Sequence, residues 1–348
     1  MNKLVGIQWG RGIAAMLVVI CHSIAHPFPS APDIAHMMGR VGVTMFFIIS
    51  GYIMVTTTSR DDGRFDPLQF MGKRIARIVP LYYGVTLLVA LLTLVAPAIF
   101  KSTPFDLGHI VTSLLFIPTY TPEPPHSIEP FYKLGWTLNY EMFFYAVFAC
   151  LCWMRTRART ITLIVLFAGL FLLGLLIPFE NAAWVMYTRT DILAFAAGAA
   201  IATFKPQGAW RLSPTAQVAI VLGGVLLMAL MLPVYGPNRA TAWVQIVAMI
   251  ACLGFVIVLA CHDEARDTSA GRTAMLLGDA SYAIYLFHMF AVAGTWLVAE
   301  RLLGEVSPVA FVGVAAFSTV TAAMLGITIH RYCERPIARM IAPRPAPA

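Results

Sequence analysis

The chain has 348 residues, of which 59% are hydrophobic, and its mean hydropathy is +0.78. Only 12% are charged, whereas soluble domains run at about 45–50% apolar and about 25% charged. This composition excludes a water-soluble enzyme. It also assigns the formal charge of +7 to membrane topology, with no case for a nucleic-acid partner.

Apolar runs of bilayer-crossing length predict ten helices, at approximately 7–25, 41–57, 80–99, 137–154, 160–178, 190–204, 215–232, 241–260, 280–300 and 308–329. The first holds Arg11 and His22 in an otherwise apolar stretch. Eleven helical residues give about 16 Å of rise and about 20° of rotation, so both side chains leave one face, one near each end. Ionisable groups inside a membrane are costly and mark a functional site by default. A long anionic ligand lying along the helix, with its reactive tip at His22, suits this spacing. No small-residue cleavage site follows, so this span is not expected to be a cleaved signal.

The second span contains Gly42-Val43-Thr44-Met45-Phe46-Phe47-Ile48-Ile49-Ser50-Gly51, whose small residues permit close helix approach. Lys73, Arg74 and Arg77 precede Pro80, which is expected to open the third span. Their spacing places the two arginines on one face of a short helix, where guanidinium groups can hold phosphates through paired, charge-assisted hydrogen bonds. Topology alone would also put basic residues here. The run 110–118 is too short to cross and reads as an interfacial or re-entrant piece of a long outer loop, 97–135. Five prolines between 118 and 130 prevent regular helix there. Tyr120, His126, Glu129, Phe131 and Tyr132 in this loop can meet a polar acceptor; the alternative is a plain cover.

The fourth span opens with Trp136 and carries Glu141 about one turn below the outer surface, at a depth comparable with His22. Imidazole is the natural general base at neutral pH. A carboxylate partner would raise its basicity and fix its tautomer, and Tyr145 shares the Glu141 face at i+4. The alternative is a packing hydrogen bond without catalysis. In the ninth span, Ser281, Tyr282, Tyr285 and His288 follow one another, and His288 either lines the same cavity or makes a structural hydrogen bond. The six cysteines show no metal spacing and read as packing residues.

Six of the 24 Lys and Arg residues fall on the outer side (Arg40, Lys101, Lys133, Arg189, Arg239 and Arg301) when the N-terminus is inside. The other eighteen fall on the inner side or at adjoining helix ends, a strong positive-inside bias. The seven tryptophans all fall near span ends, as aromatic belts require. The expected fold is therefore all-α: an integral membrane protein with about ten transmembrane helices in one bundle and both termini cytoplasmic. Residues 1–340 form a single membrane domain, and 341–348 are expected to be a disordered tail.

These blocks together resemble membrane acyltransferase family 3, over about Gln8 to Pro336. The resemblance is carried by Arg11-x10-His22, by Phe46-Phe47-Ile48-Ile49-Ser50-Gly51, by Arg74-x-x-Arg77, by Trp136 to Tyr145, by Ser281 to His288, and by Glu334-Arg335-Pro336. The opening Ile7 to Ala15 is most similar to the exopolysaccharide-acetylating branch. Two departures stand out. Many members have an acidic residue shortly before the first arginine, where this chain has Gln8-Trp9-Gly10, and many have Asp where it has Thr44.

The resemblance implies an inner-membrane enzyme that moves an acyl group, usually acetyl, from cytoplasmic acyl-CoA to a hydroxyl of a polysaccharide or lipid-linked saccharide. Acetyl-CoA is then a co-substrate, and no metal is expected. His22 and Glu141 are the expected catalytic pair. Arg11, Arg74, Arg77 and Lys73 are expected to bind acyl-CoA, and Trp136, Tyr145, Ser50, Tyr282, Tyr285 and His288 to line the cavity. The rival is a secondary transporter or lipid-linked saccharide flippase, which also uses many spans and polar midplane residues. No inverted repeat is apparent, and the arginine cluster has no obvious role in ion coupling.

Overall fold

The structure is a computed structural model that describes residues 4–28, 32–59, 63–97, 103–124, 126–204, 212–238, 241–262, 268–304 and 306–341. The readings made for Lys101, Trp210, Arg239 and the tail beyond Ile341 lie outside the described residues. The helices are α1 (Val5–Ala25), α2 (Asp33–Thr58), α3 (Pro67–Val95), α4 (Leu107–Leu114), α5 (Trp136–Cys150), α6 (Thr156–Leu176), α7 (Ala182–Tyr187), α8 (Asp191–Phe204), α9 (Pro214–Asn238), α10 (Ala242–Ala260), α11 (Ser269–Asp279), α12 (Ser281–Leu303), α13 (Pro308–Ile329) and α14 (Arg335–Ile341). Among the described residues the only β-pairing is an isolated bridge between Tyr120 and Ile128.

Eight helices, α1, α2, α3, α6, α9, α10, α12 and α13, are long and apolar enough to cross a membrane. The remaining predicted spans, 137–154 and 190–204, form as α5 and α8, but with 15 and 14 residues they fall short of the about 20 that a bilayer needs. The run at 110 contributes α4, eight residues long, which is too short to span, as expected.

Two helices begin well before their apolar runs. Helix α2 starts at Asp33; Asp33, His36 and Arg40 interrupt the apolar residues of its first turns, so the continuous apolar run begins later. Helix α3 starts at Pro67, capped by the Asp66 carboxylate, which accepts from the Leu68 N–H at 2.9 Å. It then runs through Pro80 without ending, so Pro80 does not open the span. A proline interrupts only one i→i−4 bond, and membrane helices tolerate that where neighbouring groups take up the freed carbonyl. Lys73, Arg74 and Arg77 therefore lie on the same continuous helix as the third apolar run.

The chain divides into two compact units, Met1–Ile53 with Ala197–Tyr332, and Met54–Ala196 with Cys333–Ala348. In the first, α1, α12 and α13 bury Ala15, Val19, Ile284, Val292, Trp296, Ala315 and Ala322 together. Close approach is obligatory at Gly278, where a Cβ would strike the Gln8 carbonyl, and at Gly326, where it would strike the Ile284 backbone. Trp296 departs from the aromatic-belt expectation. It is 1% exposed, and its indole N–H donates to the Ser23 carbonyl at 3.0 Å, so it is a core residue of the helix interface.

The second unit is built on rings. Phe144 stacks on Phe195 at 4.6 Å, and Phe65, Phe70 and Phe148 lie within 5.5 Å of one another. Arg159, counted from sequence as an inner-surface charge, is fully buried among them. Its guanidinium donates to the carbonyls of Gly63 and Met154 and to Thr58 Oγ1. Gly63 has φ +80°, and a Cβ there would collide with Thr156, so the bend that offers its carbonyl requires glycine.

Candidate active site

Within the first unit, α1 and α12 bring together the polar residues that the sequence singled out. Near the start of each helix, Arg11 Nη2 donates to Ser281 Oγ at 2.8 Å. Further along both, His22 Nδ1 lies 3.2 Å from His288 Nε2, with ring centroids 4.9 Å apart. The two helices therefore run in the same direction. If spans alternate in direction, an odd number of crossings separates them. Helices α2, α3, α6, α9 and α10 supply five, so α5 and α8 either both cross or neither does.

Arg11 is also held through Gln8. The Gln8 carbonyl oxygen accepts from Arg11 Nη1 at 3.3 Å, while its amide nitrogen donates to Asp279 Oδ1 at 2.7 Å. The primary amide offers one acceptor and one donor, so it links the guanidinium to a carboxylate. The acidic residue absent before Arg11 in sequence is thus supplied from the end of α11, 271 positions away. Gln8 and Asp279 are the polar residues of this group that sequence reading missed. The pairing of Gln8 with Asp279 has no local signal.

His288 is fully buried, and its Nδ1 lies 2.7 Å from the Tyr285 carbonyl. Tyr285, its ring 6.1 Å from that of His288, is buried and contacts the Phe46 ring edge-on at 5.9 Å, and Tyr282 is buried on the same helix. Ser50 is buried in α2. His22 is half-buried, with Nδ1 2.9 Å from the Val18 carbonyl one turn back. Cys21, the neighbour of His22, is buried as a free thiol at the point where α2 presents Gly39, which is the packing role expected of it.

In the second unit, the Tyr145 hydroxyl donates to Glu141 Oε2 at 3.2 Å, the i+4 relation seen in the sequence. Arg74 lies over the Phe70 ring at 5.3 Å and the Tyr145 ring at 5.9 Å. Tyr145 therefore touches both the carboxylate and the cation. Among the described residues, Arg74 Nε is buried without a hydrogen-bond partner. A guanidinium supported on aromatic faces and keeping a spare donor is suited to an anionic group. Arg77, one turn on, is half-buried. Lys73 is exposed and donates to Gln69 Oε1 at 3.3 Å. Trp136 meets Tyr140 edge-on at 6.0 Å.

Among the described residues of the proline-rich loop, backbone groups are tied by side chains. His109 Nε2 lies 2.9 Å from the Glu129 carbonyl, and the Phe131 N–H donates to Ser113 Oγ at 2.7 Å. Phe131 and Tyr132 are buried by this arrangement and are not available to an acceptor, unlike exposed Tyr120 and His126. A small cavity of about 240 Å³ remains beside His109, Glu123, Ser127 and Lys133. Among the described residues no group of three or more His, Cys, Asp or Glu side chains could hold a metal ion.

The family model described as an acyltransferase domain matches residues 4–328. The chain is 35% identical over 314 residues to the "Exopolysaccharide production protein ExoZ" of Rhizobium meliloti (strain 1021), covering 87% of this chain and 90% of that protein. It is 25% identical over 381 residues to the "Acyltransferase MdmB" of Streptomyces mycarofaciens, covering 98% of this chain and 92% of that protein. No solved structure matches it. With its helical membrane architecture and the Arg11–His22, Arg74–Arg77 and Ser281–His288 blocks in place, the chain belongs to acyltransferase family 3.

Proposed function

We propose that this protein is a multi-pass inner-membrane O-acetyltransferase that moves an acetyl group from cytoplasmic acetyl-CoA to a hydroxyl of an exopolysaccharide or its lipid-linked precursor. One observation carries the reading. Arg11 and His22 leave one face of α1, and each is met by a polar residue of α12. A cation and an imidazole are thus held at separate depths of one helix pair. The exopolysaccharide relative supports the class of acceptor.

In this reading Arg74, Arg77 and Arg11 hold the phosphates of coenzyme A. His22 takes the proton of the sugar hydroxyl as its oxygen attacks the thioester carbonyl carbon. The carbon–sulfur bond then breaks, and the imidazolium returns its proton to the departing thiolate. The products are the sugar ester and free coenzyme A. Glu141 enters from its place at the start of the fourth predicted span, as the carboxylate that favours the imidazolium. Ten spans with both termini cytoplasmic complete the proposal; α5 and α8 would then both cross, and a C-terminal reporter active only in the periplasm should stay silent.

The test has two arms. Polysaccharide from cells lacking the protein should lose its alkali-labile acetyl esters, as read by mass spectrometry. Acetyl-CoA should raise the thermal unfolding temperature of the purified protein, since a ligand at a hundredfold excess over its Kd adds about 2.7 kcal/mol. Arg74→Gln and Arg77→Gln should weaken that protection. Protection by a free sugar or an ion alone, with esters intact in the deletion strain, would favour the transporter reading instead.

A further inference from the structure

Three nitrogen contacts around His22 and His288 determine where the protons lie. His288 Nδ1 is 2.7 Å from the Tyr285 carbonyl. A carbonyl oxygen only accepts, so Nδ1 carries the hydrogen and, in the neutral ring, Nε2 carries the lone pair. That lone pair faces His22 Nδ1 at 3.2 Å, which must therefore supply the hydrogen between the rings. The Val18 carbonyl, 2.9 Å from the same His22 Nδ1, demands a hydrogen there as well. The reverse assignment, a charged His288 donating to a bare His22 Nδ1, would set a lone pair against the Val18 oxygen. It would also bury a cation at a site where His288 is 0% exposed, which is costly.

We infer that His288 is a positioning residue: with the Val18 carbonyl it fixes His22 as the Nδ1–H tautomer and leaves Nε2 as the basic atom. This rests on the general-base role proposed above and deepens it. Within the first unit the contact on His22 Nδ1 comes from a buried imidazole, in addition to the carboxylate role proposed above for Glu141. The physical advantage is that the Nδ1–H serves both states of the base. It donates to His288 and Val18 while His22 is neutral, and it continues to do so when Nε2 has taken the substrate proton. The hydrogen bonds strengthen as charge develops, and no group has to rotate during the transfer. The supports are themselves fixed. Ser23, next to His22, binds Trp296 through its carbonyl at 3.0 Å and Ser318 through its hydroxyl at 3.2 Å.

Two measurements decide it. Two-bond proton–nitrogen spectra of the whole protein, labelled with ¹⁵N-histidine and compared with His22→Ala, should show His22 protonated at Nδ1 and bare at Nε2. Finding His22 as the Nε2–H form overturns the inference, and because this is read on the unaltered chain, no variant has to fold. Second, His288→Phe should lower kcat by about ten- to a hundredfold with the KM for acetyl-CoA little changed, and its spectrum should show both His22 tautomers. His288→Gln, which can place an acceptor oxygen near the position of Nε2, should recover most of the loss. A folded His288→Phe protein with wild-type kcat overturns the inference even where His22→Ala is inactive. Activity retained in His22→Ala removes the general-base reading while the spectrum still reports the tautomer, so the two failures are distinguishable.

Discussion

Replacing His22 by alanine is expected to leave a folded membrane protein that no longer esterifies its polysaccharide. A positioned general base contributes about 10²–10⁴ in rate, and no other imidazole can substitute. The nearest, His288, is fully buried and has its one hydrogen committed to Tyr285. The cost to stability should be small by comparison. His22 is half-buried, and its removal deprives His288 Nε2 of one donor, worth about 1–3 kcal/mol if it stays unsatisfied. The measurement is ester content per unit of inserted protein, with thermal unfolding in detergent as the control. His22→Gln, closer in volume, should be equally inactive because a carboxamide is not basic. Retained acylation in either folded variant would remove His22 from the chemistry.

The second large effect is expected at Arg159 and falls on stability. Its guanidinium lies 4.9 Å from the Phe65 ring and 4.7 Å from the Phe148 ring. It donates to the Gly63 carbonyl at 2.5 Å, to Thr58 Oγ1 at 3.1 Å and to the Met154 carbonyl at 3.3 Å. One side chain thus ties the connection between α2 and α3 to the connection between α5 and α6. Alanine would leave these acceptors bare and a large cavity between two rings, a loss of about 3–5 kcal/mol. Domain stabilities are about 5–15 kcal/mol, so Arg159→Ala should show poor yield and a strongly lowered unfolding temperature. Arg159→Lys should not repair it, because an ammonium lacks the flat face and the fork that meet two rings and several acceptors at once. Normal unfolding combined with weakened acetyl-CoA binding would show instead that Arg159 serves a ligand.

These two residues show how unevenly function and stability can be read from the chain. His22 is legible because a lone imidazole in twenty apolar residues is expensive, and its eleven-residue offset from Arg11 fixes a common helix face by geometry alone. Arg159 is not legible. It lies among Arg155 and Arg157 at the start of a span, where the positive-inside rule already accounts for arginine, and only the rings folded around it show its structural role. Pro80 misled in a similar way: proline usually opens a helix, but here α3 starts at Pro67 and continues through it, so Arg74, which lies over the Tyr145 ring, is a residue of the helix interior. Trp296 fitted the aromatic belt by position, yet its neighbours bury it. The carboxylate linked to Arg11 through Gln8 lies on α11, far from it in sequence.

By itself the sequence determined the membrane environment, the family and most of the helices, and it singled out the residues proposed to carry the chemistry. Each of these follows from local quantities: hydropathy over one bilayer thickness, the 3.6-residue period, and the cost of a polar group in hydrocarbon. Only the tertiary structure decided which polar groups meet. It joined Gln8 to Asp279, Arg11 to Ser281 and His22 to His288, each pair more than 260 positions apart. The reason is physical: a buried hydrogen bond depends on distance and direction between helices, and neither is encoded in the spacing of residues along one of them.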